Sequence, residues 1–255
     1  MRVAQLTIRM LAGLVLTGRV AVLLAASPII DEKETPNHPH VTATLLGFSK
    51  HGQMAVLQEQ SPASRQNNET LRRLEVFDLT TDKVLVQAES EVDARDPQAG
   101  QRFEDLLQRT LAERRIVLIH QGKLGKFPVK IGEETFAVEI GPAQSLPKGS
   151  SSRLEDKFES GEGSWEYEIV FTSDRKGSKV IGRMRSVPSS TGLTPVSSPV
   201  LLGYVRDPYA NRVVVVLQQD MTDAASWTTP LYRFMGARLD KRFIDFKIHR
   251  RMRLE

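Results

Sequence analysis

The chain has 255 residues, 40% of them hydrophobic and 26% charged, and no cysteine. That composition allows a sizeable core and excludes disulfide scaffolds, thiolate metal sites, cysteine nucleophiles and lipobox anchors. The formal net charge of +4 is localised: Arg2, Arg9 and Arg19 lie in an opening stretch of 27 residues without an acid, and the remainder holds 32 basic against 31 acidic residues. A body this close to neutrality lacks the electrostatic basis for nucleic-acid binding.

Residues 1–27 have the layout of an export signal: two arginines in the first nine residues, an apolar run from Met10 to Ala26, then small residues. Arg19 interrupts the run and Pro28 follows the expected cut. An uncleaved membrane anchor is therefore the alternative, with export to the periplasm or outside as the expected destination. Residues 28–40, polar with two prolines after position 35, read as a linker into a β-rich domain over 41–240.

In that domain, Val41–Phe48 and Gln53–Glu59 are strands around a Ser-Lys-His-Gly turn. After a polar loop over 60–70, Leu71–Leu79 and Lys83–Gln87 complete a four-stranded meander. Phe103, Leu106, Leu107 and Leu111, spaced by threes and fours among charges, predict one amphipathic helix near 98–117, with Val117-Leu118-Ile119 starting the next strand. Phe127–Ile131 and Thr135–Ile140 form a hairpin around Gly132. Trp165–Ser173 and Ser178–Ser186 form another around Asp174–Gly177. Residues 144–163 and 187–199 read as loop and linker. Val200–Val205 and Arg212–Gln218 are a last strong pair, and the stretch from Leu231 onward is strand or helix, ending in a basic tail over 241–255.

Two stretches repeat one pattern. Gly47-Phe48, a turn over 49–52, and Gln53 to Gln60 match Gly203-Tyr204, a turn over 207–212, and Val213 to Asp220. Each is an apolar strand, a glycine–aromatic pair, a reversal, and a strand apolar on both faces that ends in polar groups. The fold expected is mainly β (α+β at most), two related β-meander halves arranged as a sandwich or propeller-like unit. Phe48 and Tyr204 should then occupy related environments.

The Leu45–Ser49 segment with Gly52 and Ala55-Val56, then Leu74–Leu79, and later Gly203-Tyr204, Val213–Leu217 and Phe234-Met235-Gly236, resemble an uncharacterised bacterial family of predicted secreted proteins over most of 41–240. Lys50-His51 departs from that pattern, standing where such blades carry a Pro-Asp or similar pair. The resemblance implies export and brings no assigned activity.

Several groups invite a chemical reading. His38 and His40, with Asp31, Glu32 or Glu34, offer metal ligands, set against a solvated linker that preorganises nothing. Ser49 lacks the glycine spacing of a nucleophile elbow. Ser145 with Lys148 and Ser173 with Lys176 match a Ser-x-x-Lys string, and neither opens an apolar helix. Glu155, Asp156, Glu159, Glu162, Glu166 and Glu168 form an acidic cluster, with Glu166 and Glu168 on one strand face, suited to paired-carboxylate chemistry or to a solvated loop. Lys241, Arg242, Lys247, Arg250, Arg251 and Arg253 give the tail a basic rim that an anionic surface would attract. No catalytic, cofactor-binding or metal-binding residue is assigned. The expectation is a non-catalytic extracytoplasmic binding or scaffold module with an envelope or extracellular partner. An envelope hydrolase using carboxylates or a turn serine, and an anchored surface protein, are the alternatives.

Overall fold

The computed structural model describes residues 28–33, 39–61, 69–81, 83–93, 95–119, 122–145, 165–186, 194–195, 197–222, 228–240 and 243–244. The expected export segment and most of the basic tail lie outside them.

Three antiparallel sheets and one helix make up the described fold, and none of the sheets closes into a barrel. Sheet I runs β1 (Ile30–Glu32), β2 (Val41–Phe48), β3 (Gln53–Gln60), β4 (Glu69–Asp78) and β5 (Lys83–Asp93), with β6 (Val117–Leu118) also paired to β2. Sheet II runs β11 (Gly177–Ser186), β10 (Trp165–Ser173), β8 (Glu134–Ile140) and β7 (Val129–Ile131), with β9 (Gln144–Ser145) on β10. Sheet III centres on β14 (Arg212–Thr222), flanked by β13 (Val200–Arg206) and the short β12 (Thr194–Pro195), and by β15 (Thr228–Arg238).

The helix α1 spans Pro97–Glu113. Asp96 caps it by accepting from the Gln98 N–H, and Pro97 opens its first turn, where a missing N–H costs nothing. It stops short of the expected residue 117 because Arg115 turns left-handed (φ 53°) and the chain re-enters a sheet at Val117. The expected linker is also partly structured. Ile30–Glu32 pairs with Val41–Ala43, and Ile30 is buried, so β1 belongs to the folded body.

Three hydrophobic cores order the layers. Phe103, Leu107, Leu111 and Ile116 pack on Leu46, Ala55, Leu74 and Val76 of sheet I. The opposite face of sheet I, with Leu45, Phe48, Met54, Val56 and Phe77, packs on Val205, Val214, Val216, Tyr232 and Phe234 of sheet III. The other face of sheet III, with Val213, Val215, Leu217 and Met235, packs on Phe136, Ile169, Phe171 and Met184 of sheet II. The stack is therefore helix, sheet I, sheet III, sheet II. Val213 to Leu217 are fully buried because β14 is the central strand of a sheet covered on both faces.

The sequence repeat is structural. In both copies the second leucine of Leu-Leu-Gly is an extra residue in the ladder: Leu46 falls between the pairs Leu45–Val56 and Gly47–Ala55, and Leu202 between Leu201–Leu217 and Gly203–Val216. Matching the two registers places Leu46, Ala55, Leu74 and Val76 of sheet I on Leu202, Val216, Tyr232 and Phe234 of sheet III. The first set faces the helix and the second faces sheet I, so equivalent residues point the same way along the stack. Phe48 and Tyr204 correspond in the same manner, each packing toward the next layer down. The copies stack front to back, as successive propeller blades do, without a closing ring.

Candidate functional site

The residues that invited a chemical reading are mostly occupied structurally. Ser49 Oγ accepts from the His51 and Gln53 N–H groups at 3.2 Å each and so closes the turn between β2 and β3. Ser173 is buried, and its Oγ accepts from the Arg175 and Lys176 N–H groups while contacting Glu134. Lys176 Nζ donates to Glu134 at 2.6 Å and to the Leu239 carbonyl at 2.8 Å. An ammonium held by a carboxylate and a carbonyl has no lone pair to act as a base. This Ser-x-x-Lys string is a hairpin cap.

Glu166 and Glu168 do share a strand face, but the hairpin sets each opposite an arginine. Glu166 pairs with Arg185 at 2.9 Å, and Glu168 with Arg183 at 3.1 Å. The result is a cross-strand charge ladder, which leaves no free carboxylate pair. The other four acids of that cluster, and Lys148, lie outside the described residues. His40 bonds Asp31 at 2.8 Å, and His38 and Glu34 are outside the described residues. Among the described residues no group of three or more metal-binding side chains converges. Phe243 and Ile244, the described part of the tail, dock on sheet II: Phe243 joins Phe136 and Phe171, and Ile244 exchanges backbone bonds with Ser178.

A site that sequence inspection did not single out lies between sheets I and III. Val41, Gln58, Gln60, Leu71 and Arg73 of sheet I face Met221, Thr229, Pro230, Leu231 and Arg233 of sheet III across a cleft of about 260 Å³. It forms where the apolar core between the sheets gives way to the polar ends of β3 and β4. Val41, Leu71, Met221, Pro230 and Leu231 make its apolar walls, and two amides and two guanidinium groups its polar part.

Behind Gln58 sits Glu75, buried, with Oε2 accepting from Gln58 Nε2 at 2.5 Å. Burial raises the Glu75 carboxyl above the usual range, and Arg73, Arg233 and the Gln58 bond offset only part of that. Arg73 Nε is held by Glu89, directly across from it on β5. Tyr232, nearby in the same inter-sheet core, has its phenol held far above the ordinary range by burial, with Glu32 and Asp220 adding to the effect, so it stays protonated at neutral pH. The arrangement can recognise a small amphiphilic ligand: charge and amides at one end, a greasy slot at the other.

A second polar feature joins the two repeat copies at their turns. Asp207 and Arg212 are both buried, with Nε and Oδ2 3.6 Å apart, and the guanidinium packs over Gly52, where a side chain would collide with it. Neither of those two atoms has a direct hydrogen-bond partner among the described residues. The pair is enclosed within the fold and is a joint between turns.

No protein-family model, curated protein or solved structure matches this chain.

Proposed function

We propose that this protein is a non-catalytic binding module that works outside the cytoplasm and holds a small ligand in the cleft between sheets I and III. The cleft carries the proposal, because it joins an apolar slot to two guanidinium groups and two amides. Binding is favoured over hydrolysis by the state of the nucleophile candidates: Ser49 and Ser173 are tied into turns. The carboxylates Glu166 and Glu168 are neutralised by arginines.

The extracytoplasmic location rests on the arginine-flanked apolar segment of residues 1–27. A cut near Ala26 or Ser27 leaves β1 intact, since that strand begins at Ile30. Envelope fractionation with N-terminal sequencing checks the location. A chain that begins after residue 20 and no later than Ile29 is the expected product, and a full-length chain in the cytosolic fraction would sink it. Binding is checked by methyl NMR of residues 28–255 against octyl probes with neutral, cationic and anionic head groups. Shifts confined to Val41, Leu71, Met221 and Leu231 are expected for at least one probe. Silence of those methyls toward all three removes the binding reading.

A further inference from the structure

Resting on that binding reading, we infer that the cleft takes a monocarboxylate with a short apolar tail, its head group held by Arg233. The two guanidinium groups are not equivalent. Among the described residues Arg73 has the Glu89 carboxylate as its ion-pair partner, and Arg233 has none within ion-pair distance. Arg233 projects from β15 at the cleft wall and is solvent-accessible, so a ligand can reach it without rearrangement of the core. A guanidinium presents a planar fork of donors that matches the two oxygens of a carboxylate.

The charges around the cleft select a single negative charge. Arg73 and Glu89 cancel each other, leaving Arg233 facing Glu75, whose ionisation is opposed by its burial. One carboxylate balances Arg233. A dianionic phosphate monoester would bring a second charge that no unpaired guanidinium is left to balance, since Arg73 is held by Glu89, and a cation would meet Arg233 itself. The walls set the rest of the ligand: they are aliphatic, and 260 Å³ falls below the range of about 300–1,000 Å³ typical of sites for drug-sized molecules. At about 30 Å³ per water-sized group, the slot admits on the order of eight to ten heavy atoms, the size range from hexanoate to octanoate.

The test is calorimetric or NMR titration of the protein with octanoate, 1-octanol and octylammonium, in the wild type, Arg233→Gln and Glu75→Gln. Octanoate should bind at least about tenfold more tightly than 1-octanol, in line with a charge-assisted hydrogen bond. Arg233→Gln, an accessible position whose change leaves the core intact, should erase that preference while 1-octanol binding persists. Glu75→Gln replaces a carboxyl whose ionisation burial already opposes, so octanoate and 1-octanol should both bind within about twofold of the wild type. Equal binding of octanoate and 1-octanol, preference for octylammonium, or full octanoate affinity in Arg233→Gln would overturn the carboxylate assignment while leaving the cleft a binding site. Failure of all three probes would overturn the binding reading itself.

Discussion

Two strand glutamates respond to pH in opposite directions, because one is buried and the other is paired with a cation. Burial drives the Glu75 carboxyl above its ordinary value near 4.5, so the folded state holds that proton more tightly than the unfolded chain does. The stability Glu75 contributes is whole below pH 4.5 and is lost as pH rises through its folded pKa. Glu75→Gln should match the wild type near pH 4 and exceed it at pH 7–8. For Glu134, partial burial works to raise the carboxyl, but the Lys176 ammonium and the Ser173 hydroxyl outweigh it and hold the group below its ordinary value. Its contribution is present above pH 4.5 and is lost as pH falls through the depressed folded value. Glu134→Gln should therefore cost about 1 kcal/mol at pH 7, a figure limited by the solvent access of Lys176, and progressively less as pH falls below 4.5. Urea unfolding of both variants across pH 3–8 reads both signs. Parallel profiles for the two would contradict the assigned environments.

At the level of elements, the glycines of the repeat are the joints on which the layers approach. A Cβ on Gly47 would sit well inside van der Waals contact of the Val117 carbonyl oxygen, and one on Gly203 would do the same to that of Gly125. Leu118 pairs with Gly47 and Gly125 bridges to Tyr204, so each glycine–aromatic pair has a close backbone neighbour from the stretches that follow α1. Gly47→Ala and Gly203→Ala should each destabilise by about 3 kcal/mol or more, since backbone must move. Gly132→Ala is the control: its φ is positive, but nothing lies within 4 Å, so about 1 kcal/mol is expected in chemical denaturation. The repeat was legible because a glycine–aromatic pair, a turn and an apolar strand survive in both copies, and α1 because its apolar residues keep a helical period. β1 was not, because a three-residue strand among acids and prolines carries no period and gains its burial only from β2. The cleft was illegible for a related reason. Gln58 and Arg73 fall in segments read as strands with nothing in the pattern to mark them as a site, and Arg233 is brought to them only by the stacking of sheet III on sheet I.

For the molecule as a whole, front-to-back stacking makes sheet III the shared wall of two cores. Val214 points into the core with sheet I and Val215 into the core with sheet II, and both are fully buried. If the layers were separable, truncating one valine would loosen one interface and split the unfolding transition. A close-packed central strand cannot lose one face and keep the other in place, because β14 holds both ladders of its sheet. Val214→Ala and Val215→Ala should each therefore lower the midpoint of one common transition, by about 1–3 kcal/mol apiece. Far-UV circular dichroism, which reports all three sheets, and near-UV signals, which report the aromatic contacts of sheet II, should move together in both variants. Residence of the cleft on the same shared sheet carries that argument to binding. Met221 and Leu231 belong to β14 and β15, so Val215→Ala, which does not line the cleft, should weaken octanoate only in proportion to the unfolded population it creates. A loss of affinity larger than that population, at temperatures where the variant is still folded, would show that the cleft is shaped by the core between sheets III and II as well as by its own walls.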